Sequence, residues 1–160
     1  MKGLTETDFK YLAGLIDADG WVSFGFMKSK STGKTYLQMH IGLACSDKID
    51  RGGILISWLT SVTGSSSSYK DKCGVTIRTW KLSKRSDLNQ FVPRILKHML
   101  IKAKHLDIIY SAYSELKGKE IDGNTIETLR ALSKCSRLDS GPLKPKNFPT
   151  KAWTAGYLDG

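Results

Sequence analysis

The chain has 160 residues, 40% of them hydrophobic and 9% aromatic, so it can form one domain with a buried core and is not disordered by composition. Its 25 Lys and Arg against 15 Asp and Glu give a formal charge of +10, which favours a polyanionic partner, with nucleic acid the first candidate. The three cysteines form no CxxC motif, and no apolar run suits a bilayer span or a secretion signal; we therefore expect an intracellular protein without a disulfide scaffold, a structural zinc site or a membrane partner.

The first predicted helix spans residues 6–20. Thr5 and Asp8 have the spacing of a capping box, and the glycine at the other end favours a left-handed C-cap. Gly14 and Ala18, four residues apart, form a seam of small residues that lets a second helix backbone approach closely. An ordinary core helix is the alternative interpretation of this seam.

Two acids, Asp17 and Asp19, fall in the last turn of this helix. Residues two apart on a helix point about 200° away from each other, so the two carboxylates cannot face one ligand unless the helix unwinds. The negative end of the helix dipole disfavours each acid by a few tenths to about 1 kcal/mol. We therefore expect a compensating cation or backbone donor, and a bound metal ion is one candidate.

Two hairpins are predicted further along the chain. Apolar and polar residues alternate over 22–27 and 37–44, which is typical of strands with one buried face, and the basic segment 28–34 joins them. A second hairpin includes the alternating residues 75–82. Residues 65–68 are either a linker, by composition, or a strand.

The other segments have helical periodicity. Residues 54–62 predict a buried helix, with a strand as the alternative because of their β-branched content. Further helices are predicted around 88–96, 106–113 and 126–132, with Pro93 either in a first turn or at a kink. The order of helices and strands predicts an α+β fold.

A linker is predicted over residues 136–149, which contain one Gly and three Pro with little apolar periodicity. It divides the chain into a domain over 1–135, the linker itself, and a final segment over 150–160.

The final segment looks like a truncated second copy of the first helix. Ala155 and Gly156 align with positions 13–14, and Asp159 aligns with position 17. Gly156 and Gly160 therefore repeat the small-residue seam, which predicts that the two helices pair across a pseudo-twofold axis. A chance end helix is the alternative.

Residues 12–20 read LAGLIDADG, and the chain on this basis resembles the LAGLIDADG homing endonucleases. The resemblance implies an αββαββα fold with a saddle-shaped antiparallel sheet that binds double-stranded DNA. It also implies Mg²⁺-dependent, site-specific cleavage of both strands at a long asymmetric target, promoting mobility of an intron or intein, with Mn²⁺ or Ca²⁺ able to occupy the same sites. An RNA maturase that assists splicing without cutting DNA is the alternative, and a DNA-binding regulator on a degenerate fold is a third possibility.

The resemblance also assigns metal ligands. It gives this role to Asp19 and to the carbonyl of Ala18, and leaves structural hydrogen bonds to Asp17. Gly160 is the matching candidate in the second copy, where the second acid would fall at the next position, beyond this sequence. We therefore expect the N-terminal half of a two-motif enzyme, completed by a second half in a longer chain or by a second subunit.

Two other catalytic candidates follow from the resemblance. Lys102, with Lys104 as the second choice, matches a basic residue near the metals; either lysine can instead be solvated or bind phosphate. Asp47 matches a polar residue that orders water at the site, and the N-cap of the next helix is its alternative role.

DNA contacts are expected from the outward face of the two hairpins and from basic turns. His40 alone is weak evidence, Gln38 suits an adenine, and Arg78 faces DNA only if a bulge intervenes. The full set of expected DNA-binding residues is Ser23, Met27, Lys28, Ser29, Lys30, Lys34, Gln38, His40, Lys70, Lys72, Arg78, Thr79, Lys81 and Lys84.

Overall fold

The computed structural model describes residues 3–46, 51–138, 141 and 149–160. In this part of the chain the elements follow the order α1 (Glu6–Ala18), β1 (Trp21–Lys28), β2 (Thr35–Ser46), α2 (Arg51–Val62), β3 (Ser65–Lys70), β4 (Thr76–Leu82), α3 (Arg85–Ile95), α4 (Ala103–Leu116), α5 (Gly123–Leu138) and α6 (Lys151–Asp159). The predicted α+β fold with αββαββα connectivity is confirmed through α3. Asp47 lies outside the described residues.

The four strands form one antiparallel sheet in the order β1-β2-β4-β3. Both predicted hairpins are therefore present, and residues 65–68 belong to a strand rather than a linker. Because side chains alternate along a strand, Val22, Ile41 and Leu82 share one face through their cross-strand pairs. The helices cover this face, and we call the opposite side the open face.

Aromatic and aliphatic side chains fill the space between the sheet and the helices. The rings of Phe9 in α1 and Trp80 in β4 both pack on Phe91 in α3, with centroids 5.8 and 6.1 Å away. All three side chains are fully buried. The Trp80 indole N–H donates to the Thr63 carbonyl at 2.8 Å, so the one polar atom of this aromatic core is satisfied.

Two helix features differ from the sequence-based expectations. The capping box of Thr5 and Asp8 is confirmed, but α1 ends at Ala18 and Asp19 is its C-cap, so only Asp17 lies in the last turn. Pro93 is the ninth residue of α3, so its placement in a first turn is wrong. Because proline has no N–H, the carbonyl of Asn89 receives no helical hydrogen bond from this position, and α3 ends two residues later.

Helix α5 continues to Leu138, three residues into the segment predicted as a linker. Ser136 is buried there, and its hydroxyl lies 2.7 Å from Nδ1 of the buried His105 in α4. The other ring nitrogen of His105 lies 3.4 Å from the Val22 carbonyl. This contact fixes the end of α5 against α4 and β1.

Candidate active site and nucleic-acid interface

Helices α1 and α6 pack backbone to backbone along the predicted seam. A Cβ atom on Gly14 would collide with the carbonyl oxygen of Trp153, and one on Gly156 would collide with the carbonyl oxygen of Tyr11. At the end of the seam a Cβ on Gly160 would lie 2.8 Å from that of Ala18. All four seam residues lie at this contact, and only glycine fits at its closest points.

The two helices are related by a local twofold axis, and their polar contacts have the same symmetry. Tyr11 donates its hydroxyl to Asp159 at 2.8 Å, and Trp153 donates its indole N–H to Asp17 at 3.0 Å. Tyr11 and Trp153 occupy equivalent positions in the two motifs, as do Asp17 and Asp159. The helices therefore exchange equivalent contacts, as expected of an isologous interface.

Asp17 has the structural role expected for it. Its side chain is buried and accepts hydrogen bonds from the backbone N–H groups of Leu100 and Lys102 at 2.7 and 2.8 Å, in addition to Trp153. The carboxylate thus joins α1, α6 and the turn before α4. With three donors the buried charge is compensated.

Asp19 is exposed at the point where α1 and α6 come together. Its backbone N–H caps Leu15 at 3.0 Å, and its amide nitrogen would lie 3.6 Å from a Cβ on Gly160. Asp19 lines a cleft of about 780 Å³ whose other lining residues include Trp58 and Asp159. Strand β1 begins two residues after Asp19, so this acid lies at the edge of the sheet.

Lys102 lies in the turn before α4, and its side chain extends to the C-terminal end of α1. Its ammonium group donates to the carbonyls of Ile16, Ala18 and Gly20 at 2.9, 3.1 and 2.7 Å. Burial lowers the pKa of Lys102, while Asp17 and Asp19 oppose this shift. Lys102 therefore supplies the cation that the helix C-terminus was expected to need.

The second candidate lysine, Lys104, is placed differently. Its backbone N–H donates to the carbonyl of Gly141 at 3.3 Å, and the N–H of Gly141 donates to Ile101 at 2.6 Å. These contacts connect the turn before α4 to the segment that follows α5.

The oxygen donors at this site fit a hard divalent cation in kind. The Asp19 carboxylate is exposed, and the Ala18 carbonyl keeps a second lone pair beside its bond to Lys102. Among the described residues no group of three or more His, Cys, Asp or Glu side chains converges on one point. The described half thus supplies part of a ligand set.

The open face of the sheet carries most of the predicted base-reading side chains. Ser23 pairs with His40, and Gly42 pairs with Lys81, so one surface runs across β1, β2 and β4. Polar contacts link neighbours on it: Gln38 donates to the Met27 sulfur at 3.3 Å, and the hydroxyls of Ser67 and Thr79 lie 2.7 Å apart. The predicted residues on this face are Ser23, Met27, Gln38, His40, Thr79 and Lys81.

His40 covers the middle of the open face. Its ring lies against Gly25, where a Cβ would collide with Nε2, and its buried Nδ1 has no hydrogen-bond partner among the described residues. Burial, and secondarily the charge of Lys81, lowers the pKa of His40. The ring is therefore neutral near pH 7.

Most of the predicted phosphate-contacting lysines are exposed at the ends of strands. Lys28 and Lys30 lie at the β1–β2 turn with Ser29, Lys70 and Lys72 lie at the β3–β4 turn, and Lys84 is the N-cap of α3. Lys34, in the first of these turns, makes a 2.9 Å ion pair with Glu120, which offsets its charge.

Arg78 is on the side of the sheet opposite to the one required for DNA contact. β4 pairs continuously with both of its neighbours over 77–81, without the bulge that would turn Arg78 around. Its guanidinium instead lies 3.8 Å from the position of a Cβ on Gly53 in α2. The bulge on which the expected contact of Arg78 with DNA depends is therefore absent from β4.

Three aromatic residues on the open face were missed from the sequence. Trp21, Tyr36 and Tyr69 share the strand parity of Ser23, Gln38 and Ser67. The Trp21 ring lies directly over Gly42, where a Cβ would collide with it. Extending the alternation by one residue at each strand end would have found Trp21 and Tyr36.

The sequence profile of the LAGLIDADG endonucleases matches residues 12–113, which include the second half of α1, the whole sheet and the Lys102 turn. The chain belongs to the LAGLIDADG endonuclease family. No curated protein matches it by sequence. Among the described residues no helix is long and apolar enough to span a membrane.

Solved structures of LAGLIDADG homing endonucleases share this fold. I-LtrWI bound to its target DNA has a TM-score of 0.62 at 17% identity, over 97% of this chain and 58% of that one. I-SmaMI bound to uncleaved DNA in the presence of calcium ions has a TM-score of 0.59 at 15% identity, over 98% of this chain and 58% of that one. I-CvuI, in complex with an I-CreI target in the presence of magnesium, has a TM-score of 0.58 at 16% identity, over 94% of this chain and 90% of that one. The chain thus spans just over half the length of the first two.

Proposed function

We propose that this protein, together with a second LAGLIDADG half, is a site-specific DNA endonuclease that hydrolyses phosphodiester bonds with a divalent cation, Mg²⁺ first. The observation that carries the proposal is the position of Asp19. It is an exposed carboxylate at the junction of two twofold-related helices, and the open face of the sheet begins two residues later. A duplex on that face would present its phosphates to Asp19.

Different residues of this chain would contact the DNA and bind the cation. Side chains on the open face would contact base edges, and lysines at the strand ends would contact phosphates. Asp19 and the Ala18 carbonyl would hold the cation, and Lys102 would keep the helix end in place through its three carbonyl contacts. When bound, the cation supplies the positive charge that activates water and stabilises the leaving oxygen.

Cleaving both strands requires two such sites. The local twofold of α1 and α6 supplies the symmetry, with Gly160 in the place of Ala18. The DNA complexes of I-LtrWI, I-SmaMI and I-CvuI support the same arrangement by their similarity. Cutting of the uninterrupted insertion site would then promote mobility of the intron or intein that encodes the protein.

The test is cleavage, by the full-length protein, of a duplex carrying the uninterrupted insertion site with Mg²⁺. Asp19→Asn should abolish cutting and change DNA affinity less than about threefold, because an exposed carboxylate is removed and little packing is lost. Asp107→Asn, a carboxylate change in α4, should leave cutting unchanged.

Cutting by Asp19→Asn at the wild-type rate would refute Asp19 as a metal ligand. Tight binding of the duplex by the wild type without cutting would contradict the endonuclease proposal. In that case splicing of the host RNA with and without the protein would show whether it is a maturase instead.

A further inference from the structure

A basic cleft follows the outer edge of β1, away from α1 and α6. It has a volume of about 420 Å³ and lies between β1 and α5. Phe24, Phe26 and Ser23 line its β1 side, and the α5 side carries Arg130, Lys134 and Arg137. The lining contains three cations and no acid.

The three cations form a straight row because they are four and three residues apart on one face of α5. The row spans about 10 Å at 1.5 Å per residue. DNA carries one phosphate per strand for about every 3.4 Å of helix axis. The row therefore matches the length of duplex that carries about three phosphates of one strand.

The row is aligned with β1 and fixed at both ends. Near the start of α5, the N–H of Ile121 donates to the Thr35 carbonyl at 2.9 Å, beside the β1–β2 turn. Near its end, His105 contacts both Ser136 and Val22. The cations thus extend from the outer turn toward the end of the sheet that is nearest to Asp19.

The charge of the row is largely uncompensated within the described residues. Arg130 makes a 2.7 Å ion pair with the exposed Glu127 and lies 5.7 Å over the Phe26 ring. Lys134 and Arg137 have no ion pair in the described part of the chain. The structural alternative is a solvated helix face, but such a face does not require a cleft between its cations and the sheet.

Ser23 connects this cleft with the open face. Its side chain points to the open face, where it pairs across the strands with His40, yet it also lines the cleft. A strand of DNA that leaves the open face at Ser23 would pass directly into the row of cations. A hydroxyl beside guanidinium and ammonium groups is a donor set suited to phosphate oxygens.

We propose that the β1–α5 cleft binds about three consecutive phosphates of one strand of the DNA on the open face, through Arg130, Lys134 and Arg137. This extends the interface around the edge of β1 and rests on the proposed function for the identity of the nucleic acid. Because phosphates carry no base identity, the cleft adds affinity without adding sequence preference.

The first experiment measures the salt dependence of binding of the full-length protein to the insertion-site duplex without a cleaving metal. Replacing Arg130, Lys134 and Arg137 by Gln should lower the slope of log affinity against log salt by about 2.7, at 0.9 per phosphate. Between 50 and 200 mM salt, the variant should then lose about 40-fold less affinity than the wild type. The matched control replaces Lys10, Lys97 and Lys151, on the helix side of the sheet, by Gln and should keep the wild-type slope.

A second experiment changes the DNA instead of the protein. Blocks of three phosphates are replaced in turn by neutral methylphosphonates along each strand. One outer block, in the half-site that this chain binds, should weaken wild-type binding about tenfold or more and have no effect on the triple variant.

An unchanged slope in the triple variant, or equal sensitivity of both proteins to every block, would overturn the cleft proposal and leave the endonuclease proposal intact. Failure of the wild type to prefer the insertion-site duplex over unrelated DNA would instead contradict the proposed function.

Discussion

Asp17 and Asp19 are separated by one residue, yet their carboxylates occupy opposite environments. Asp17 is 3% exposed and receives three hydrogen bonds, whereas Asp19 is exposed and caps the helix through its backbone. The angular offset of neighbouring helical residues causes this division, because one side chain points into the helix pair and the other toward the sheet edge. The motif thus separates a buried carboxylate that holds the helices together from an exposed one that is free of packing contacts of this kind.

Asp17→Asn should lower the free energy of unfolding by about 2–4 kcal/mol. The amide keeps the size of the side chain, but it replaces one acceptor oxygen by a donor and removes the charge that strengthens all three bonds. Urea unfolding of the full-length protein measures the change. Asp159→Asn is the matched control, since Asp159 is the equivalent residue of the second motif but is exposed; a loss there as large as for Asp17 would contradict this account.

Which site residues could be predicted depends on how far away their partners are. Asp19 follows from nine contiguous residues, and the open-face side chains follow from strand parity, which is a local pattern. The contact of Lys102 with Ala18 joins residues 84 apart, and the pairing of Lys34 with Glu120 depends on where the segment after α4 returns to the sheet. Such long-range contacts are decided by tertiary packing, which periodicity does not encode.

Helix α6 is shaped by its packing against α1. Its contact with α1 places glycine where a methyl group would collide with a carbonyl oxygen on the partner helix. Intrinsic propensity opposes this choice, because glycine costs a helix interior about 1 kcal/mol relative to alanine. Close approach of the two backbones therefore outweighs helix propensity in this seam.

Gly156→Ala should separate α1 from α6 and destabilise the protein by about 1–3 kcal/mol or more, despite the better helix propensity of alanine. Gly123→Ala in α5 is the control, because nothing lies within 4 Å of its Cβ position, and it should be neutral or slightly stabilising. Thermal unfolding of the two variants measures both effects. The same sign for both substitutions would show that the seam is not tightly packed.

Elements with strong apolar periodicity were predictable, and those without it were not. The helices and hairpins up to α4 follow from patterns of 3.6 and 2 residues. Strand β3 begins with four serines and is exposed along its whole length, so it is ordered by pairing with β4 rather than by burial. The last turn of α5 has a polar sequence and is helical because Ser136 is anchored by His105.

The complete fold gives the two sides of the sheet different surfaces. The helices bury the apolar face, so the open face carries polar and aromatic side chains, and the basic turns and the three cations of α5 surround it. With a net charge of +10, the long-range field attracts any polyanion, and under the proposed function the distribution of lysines and arginines around the open face would set the orientation of the bound DNA.

His105 couples three elements of this arrangement, and its protonation should weaken all of them. Burial lowers the pKa of His105, the Val22 carbonyl opposes the shift, and the charges of Arg137 and Lys102 add to it. The unfolded chain therefore binds a proton at a higher pH than the folded protein does. The stabilisation is complete above the ordinary histidine pKa of 6.5 and is lost progressively as the pH falls below that value toward the folded pKa.

Urea unfolding at several pH values between 8 and 5.5, above the ordinary range of carboxyl groups, should show this loss. His105→Gln should be less stable at pH 8 but should have a shallower decline, because it cannot take up the proton. The pKa of His40 is lowered as well, so His40→Gln should remove a separate part of the decline. A decline as steep in His105→Gln as in the wild type would mean that protonation of His105 does not destabilise the junction of β1, α4 and α5. The contribution of the three α5 cations to DNA affinity should then be equally insensitive to pH.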